Sequence, residues 1–153
     1  MPNKISTCLW FDGTGEEAAR LYVSLIPDSE IVGTFRPGPD GPPLIIDFTL
    51  AGVPCQALNG GPQFHHSEAA SIVVHTEDQA ETDRLWEALT ANGGSESMCG
   101  WLRDRFGVSW QIVPRALLRA LTGEDKAGAA RAMDALMQMS KIDIAAIEAA
   151  YRG

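Results

Sequence analysis

The sequence predicts an α+β chain made of two copies of a βαβββ module followed by a C-terminal helical tail. Three observations predict it. Strand-length apolar runs alternate with amphipathic helical stretches. Residues of the first half recur, in order, in the second half. Residues 115–153 stand outside that repeat and read as helices throughout. At 153 residues the chain is expected to form one domain, with module one near 4–60, module two near 68–114 and the tail at 115–153.

Ile5 to Phe11 is apolar and aromatic and reads as the first strand. Asp12-Gly-Thr-Gly breaks it, and Thr14-Gly-Glu-Glu17 has the form of a capping box that opens a helix. Ala18, Leu21, Tyr22 and Leu25 lie at helical spacing, and Pro27-Asp28 ends the helix. Glu30 to Phe35 is a strand, and the Pro/Gly-rich Arg36 to Pro43 a loop. Leu44 to Leu50 and Val53 to Leu58 form a hairpin around Ala51-Gly52.

The second half follows the same plan. Ala70 to His75 is a strand. Asp78 to Ala91 is a helix that ends at Asn92-Gly93-Gly94, residues that tolerate a left-handed cap. Trp101 to Arg105 and Val108 to Val113 form a hairpin around Phe106-Gly107. Glu17-Ala-Ala-Arg-Leu-Tyr22 matches Glu81-Thr-Asp-Arg-Leu-Trp86, and Gly52-Val-Pro-Cys-Gln56 matches Gly107-Val-Ser-Trp-Gln111. The second offset is shorter because the first copy carries the longer Pro/Gly loop. In the tail, helices are expected over Ala116 to Leu121, after Thr122-Gly-Glu-Asp125, and over Asp143 to Tyr151. Their apolar stripes must be buried, either within the same chain or against a second subunit.

The composition excludes several function classes. A formal charge of −8 with only 12 Lys and Arg, in no basic run, would repel nucleic acid and anionic membrane, so neither is expected as a partner. The opening Met1-Pro-Asn-Lys-Ile lacks the apolar stretch of a secretory leader. The three cysteines, Cys8, Cys55 and Cys99, are widely spaced and form no C-x-x-C pair. They read as reduced thiols of a cytoplasmic protein.

Three segments carry a family resemblance: Cys8-Leu-Trp-Phe-Asp-Gly with Glu-Glu-Ala-Ala-Arg-Leu-Tyr22; Leu58-Asn-Gly-Gly-Pro-Gln-Phe64; and Cys99-Gly-Trp-Leu-Arg-Asp-Arg-Phe-Gly-Val-Ser-Trp-Gln-Ile-Val-Pro114. Together they resemble the PhnB-like branch of the vicinal-oxygen-chelate (glyoxalase/bleomycin resistance/dioxygenase-like) superfamily, and Lys141 to Tyr151 looks similar to the same branch. The resemblance implies paired βαβββ modules with curved sheets that form a cleft, commonly in homodimers. The superfamily includes isomerases, dioxygenases and resistance proteins that only sequester a drug. PhnB-like proteins are also often labelled demethylubiquinone methyltransferases.

Superfamily enzymes typically hold a divalent metal with His, Gln or Glu on the first and last strands of the modules. Carried over one by one, those positions fall near Ser6 or Thr7, at Gln56, near Ser71 and at Gln111. Two amides and two hydroxyls offer neither carboxylate charge nor imidazole nitrogen, so no metal or other cofactor is expected there. The candidate ligand-binding residues are Gln56, Asn59, His66, Ser71, Trp101, Trp110 and Gln111. A Gln amide both donates and accepts, which suits a neutral polar ligand. Asn59 follows the fourth strand and either shapes a crossover or points its amide at a ligand. His66, beside His65, is an ordinary loop residue or a donor or general base near neutral pH; His75 ends a strand. Trp101 and Trp110 are core residues or line an apolar pocket. Cys99 as a nucleophile would need a neighbouring base.

The expected function is binding of a small molecule in the cleft, without the usual metal set. A metal-dependent isomerase, lyase or dioxygenase is the alternative, and a non-enzymatic interaction module a further one. The methyltransferase label is disfavoured, because Asp12-Gly-Thr-Gly-Glu lacks the G-x-G-x-x-G spacing and the modules differ from a doubly wound sheet. Whether the chain is an enzyme is left open.

Overall fold

The computed structural model describes residues 3–153; Met1 and Pro2, where the opening segment read as no leader begins, lie outside the described residues. The chain divides into two compact units, one ending at His66 and the other spanning Ser67–Gly153.

The first unit contains β1 (Thr7–Phe11), α1 (Gly15–Leu25), β2 (Glu30–Phe35), β3 (Ile45–Leu50) and β4 (Val53–Asn59), with strand order β1-β4-β3-β2. β1 and β4 are parallel and the other pairs antiparallel. Alternation divides the sheet into two faces. Leu9, Phe11, Ile46, Phe48, Cys55 and Ala57 are buried on one face, with Ala18, Ala19 and Tyr22 of α1 against it. Ala51 and Gly52, at φ 48° and 83°, make the predicted hairpin turn.

The expected Thr14 cap does not form: the Thr14 side chain makes no capping hydrogen bond. The Gly15 N–H instead donates to Asn59 Oδ1 at 2.8 Å, so a residue of β4 takes the part of the cap. In the second unit the reciprocal cap does form. Asp78 accepts from the Glu81 N–H at 2.8 Å, and Glu81 accepts from the Glu77 N–H at 2.9 Å.

The second unit contains β5 (Ser71–Thr76), α2 (Gln79–Thr90), a short turn of 3₁₀ helix, β6 (Ser95–Glu96), β7 (Trp101–Arg103) and β8 (Ser109–Pro114), in order β5-β8-β7-β6. Leu85, Trp86 and Leu89 of α2 are buried, as are Leu102, Trp110 and Ile112 of the sheet. Asn92 and Gly93, at φ 57° and 113°, end α2 in the left-handed conformation expected. The strand registers align β1 with β5 one residue later than the helices imply: Cys8 pairs with Gln56 as Val73 pairs with Gln111. The turn Asp12-Gly13-Thr14 is one residue longer than Glu77-Asp78, which accounts for the shift.

The tail forms α3 (Arg115–Leu121), α4 (Lys126–Leu136) and α5 (Ile144–Arg152). It packs within its own unit: Ala132, Leu136, Ile142 and Ile147 join Val113, Leu117 and Ala120 in one apolar cluster. Gln79 fastens it to α2. Its amide donates to the Ile142 carbonyl at 3.1 Å and accepts from the Ile144 N–H at 2.8 Å. Lys141 pairs with Asp83 at 2.9 Å. The Gln79 amide and Lys141 hold the Asp83 carboxyl below its usual range. The stability this contributes is present above the ordinary Asp range and fades as pH falls through the depressed value. A Gln79→Leu variant strands two backbone groups and should lose about 1–3 kcal/mol, read as a lower urea midpoint; an unchanged midpoint would remove Gln79 from this role.

Candidate functional site

In each unit the face turned away from the helix is the open one. Cross-strand partners share a face, so the first unit presents Cys8, Gln56 and Asp47 in one row and Trp10, Leu58 and Ile45 in the next. The second unit presents Val73, Gln111 and Trp101 in the corresponding row, followed by Ser71, Ser109 and Arg103. Gln56 and Gln111 thus occupy equivalent places on two equivalent sheets, as the internal repeat implies.

Their surroundings differ. The Gln111 amide donates to the Ser71 hydroxyl at 2.9 Å, and Trp101 is half-buried beside it. Among the described residues the Gln56 amide makes no side-chain hydrogen bond, and it is half-buried between exposed Cys8 and Asp47. Though Cys8 is exposed, the sheet beneath it removes part of its hydration and pushes its thiol up from its ordinary value, so it is protonated at neutral pH.

The other candidates are tied into the fold. Asn59 uses both ends of its amide, accepting from Gly15 and donating to the Pro43 carbonyl at 3.0 Å. Its amide is committed to closing the crossover after β4. His66 Nε2 lies 2.7 Å from the Trp10 carbonyl, and its ring sits 5.7 Å from that of Phe11. It latches the segment after β4 onto β1. Trp110 is fully buried, with its indole N–H on Asp104 Oδ2 at 2.9 Å; it belongs to the core. His75 is exposed at the end of β5.

Trp10 is a further candidate, which the sequence reading passed over. It shares the open face with Cys8, donates its indole N–H to the Gly61 carbonyl at 2.8 Å, and meets the exposed Phe64 ring edge-on at 4.8 Å. A side chain on Gly60 would collide with the Trp10 ring, so only glycine lets the crossover lie against it. Alternation along β1 places Trp10 with Cys8, but its neighbours depend on the register of β4.

The positions where the fold's enzymes hold a metal are a poor fit for one. In the second unit the residue opposite Gln111 is Val73, which has no donor atom, and Ser71 supplies only a hydroxyl. In the first unit Cys8 is a protonated thiol, and Asp47 lies two strands away, roughly 10 Å by strand spacing. Among the described residues no three His, Cys, Asp or Glu side chains gather to hold an ion.

Comparison with known proteins places this fold. A family model described as 3-demethylubiquinone-9 3-methyltransferase matches residues 3–113. A Bacillus cereus structure described as a 3-demethylubiquinone-9 3-methyltransferase, PhnB protein, is 32% identical with a TM-score of 0.67; the match covers 73% of this chain and 99% of that one. Protein PA1353 of Pseudomonas aeruginosa is 23% identical, TM-score 0.58, over 74% of this chain and 98% of its own. The fosfomycin resistance protein FosX of Listeria monocytogenes, 14% identical with a TM-score of 0.51 over 74% and 93%, shares the fold. Comparison with curated proteins gives no match. The family match ends at Val113, so the tail, including the Lys141–Tyr151 segment that looks similar to the same branch, lies outside it. No described helix is long and apolar enough to cross a membrane. With a family match over most of its length and a PhnB relative at 32% identity, the chain belongs to the 3-demethylubiquinone-9 3-methyltransferase (PhnB-like) family, and its two βαβββ modules have the vicinal-oxygen-chelate fold.

Proposed function

We propose that the chain binds a small, neutral, polar organic molecule on its open sheet faces, each unit using its own glutamine amide, Gln56 in the first and Gln111 in the second, without a divalent metal at those positions. The observation that carries this reading is the equivalent placing of two glutamines on two open faces, one amide without a side-chain hydrogen bond among the described residues and the other aligned by Ser71. Trp101 adds apolar contact area beside Gln111. An amide pays little to leave water when a ligand offers both a donor and an acceptor. The methyltransfer in the family's description is not part of the reading, since the β1–α1 turn has no glycine-rich nucleotide loop. The three cysteines are unpaired, which suits a reducing cytoplasm. Assembly as a homodimer is part of the same reading, and light scattering tests it.

The test begins with mass spectrometry of any small molecule that co-purifies, followed by calorimetry with that molecule. Gln111→Leu should weaken binding about tenfold, the worth of one hydrogen bond, with an unchanged unfolding midpoint. Affinity equal to the parent's in both the Gln56→Leu and Gln111→Leu variants would sink the proposal. So would a stoichiometric divalent metal whose removal abolishes binding. Calorimetric binding of S-adenosylmethionine would restore the methyltransferase reading.

A further inference from the structure

Four of the five methionines, Met98, Met133, Met137 and Met139, belong to the second unit, as does Cys99. Methionine usually fills cores. Here Met98, Met133 and Met137 are 49%, 41% and 55% exposed. Thioethers held at a surface beside a thiol make a set of soft donors.

The backbone holds them in place. Trp101 N–H donates to the Met98 carbonyl at 3.1 Å, closing a tight turn with Cys99 at φ 60° and Gly100 at φ 85°. Both central residues are left-handed, the geometry of a type I′ turn, which favours Asn, Asp or Gly. A cysteine there is strained by its Cβ, and glycine at the next position limits the strain to one residue. The turn is clamped to the loop after α4: Cys99 N–H donates to the Met139 carbonyl and Gly100 N–H to the Ser140 carbonyl, each at 2.8 Å. Cys99 Sγ then lies 3.8 Å from Met137 Sδ, and Ser140 Oγ lies 3.8 Å from Met98 Sδ. Two sulfurs each about 2.3 Å from a shared ion, at a tetrahedral angle, stand about 3.8 Å apart.

We propose that the paired sulfurs of Cys99 and Met137 form a binding site for a soft monovalent cation, of which copper(I) is the type, with Met98, the residue before Cys99 in the same turn, supplying a third donor. Thiolate and thioether donors select such ions over hard divalent ones. Binding replaces the Cys99 thiol proton: the sulfur bonds the cation, the proton goes to solvent, and each thioether donates a lone pair. No electron is transferred. Two ligand-bearing segments meet here, the β6–β7 turn and the loop after α4, and the second lies outside the residues matched by the family model. The site is independent of Gln56 and Gln111.

Silver(I) nitrate in chloride-free buffer is the probe, added to the full-length reduced protein. One ion should bind ahead of any other, releasing one proton and shifting the methyl resonances of Met98 and Met137. Cys99→Ser should abolish that first event, while Cys8→Ser should leave it intact. The double variant Met98→Leu, Met137→Leu keeps the thiol and the apolar volume, yet should bind roughly tenfold or more weakly, since even an outer-shell partner is worth that much. The proposal is overturned if this double variant binds silver as tightly as the parent, because an isolated thiol would then suffice. It is equally overturned if Cys99→Ser retains the first event, or if the Met98 and Met137 methyl resonances do not move.

Discussion

Replacing Asp104 by Ala is expected to lower the stability of the second unit by roughly 3–5 kcal/mol. Asp104 is 2% exposed. Its Oδ1 accepts from the Phe106 N–H at 2.9 Å and the Val108 N–H at 3.0 Å, and its Oδ2 from the Trp110 indole at 2.9 Å. One carboxylate thus closes the β7–β8 turn and holds Trp110, the largest fully buried side chain among the described residues. Alanine leaves the Val108 and Trp110 donors buried without that acceptor, and buried unpaired donors cost far more than a hydrogen bond between exposed groups gains. Asp104→Asn should fall between parent and alanine, because its NH₂ puts a donor where an acceptor is required. Urea unfolding followed by tryptophan fluorescence reads both variants. A loss below about 1 kcal/mol for the alanine variant, the range of ordinary surface changes, would show that the turn closes without Asp104.

Ile142→Ala is expected to cost about 2–5 kcal/mol, the usual range for a large apolar side chain removed from a core. Ile142 is fully buried, and its Cδ1 closes over Gly100, where even a methyl group would be too near. Shortening it opens a cavity between the tail and the β6–β7 turn. Collapse is restrained on both sides, by the Gln79 clamp and by the backbone bonds from Cys99 and Gly100. Ile142→Val keeps most of the volume and should lose roughly 0.5–1.5 kcal/mol. Comparable midpoints for alanine and valine would mean that the site relaxes freely and that the tail is loosely held.

The sequence carried most of the fold. Alternation, helical spacing and clear breaks at the ends found β1 to β5, β7, β8 and the five α-helices; most of them have one buried face, and β2, which has none, was found by its apolar residues between turn signals. β6 was invisible: Ser95-Glu96 is two exposed polar residues that pair only because β7 lies beside them. The Thr14 capping motif was legible but misleading, since Asn59, remote in sequence, reaches the same N–H first. The site was legible in part. The repeat brought Gln56 and Gln111 into correspondence and suggested Ser71 as a neighbour. It could not show that Val73 and Cys8 face them, because that depends on a one-residue difference in the β1–α1 and β5–α2 turns. Nor could it tell a committed amide, as in Asn59, from one without a side-chain hydrogen bond among the described residues, as in Gln56.

The strand order has a consequence for how the chain folds as it is made. In each sheet the last strand synthesised, β4 or β8, is an inner strand that lies between the first and the third. β1 therefore emerges with no neighbour and stays unpaired until β4 follows, whereas β2 and β3 can already form their hairpin. Pairing of β1 then has to close the long intervening segment in one step. Half-made units have no place for their first strand. Each unit gains its sheet only when the strand carrying its glutamine slots in, so the residues proposed to hold the ligand are also those whose arrival completes the fold.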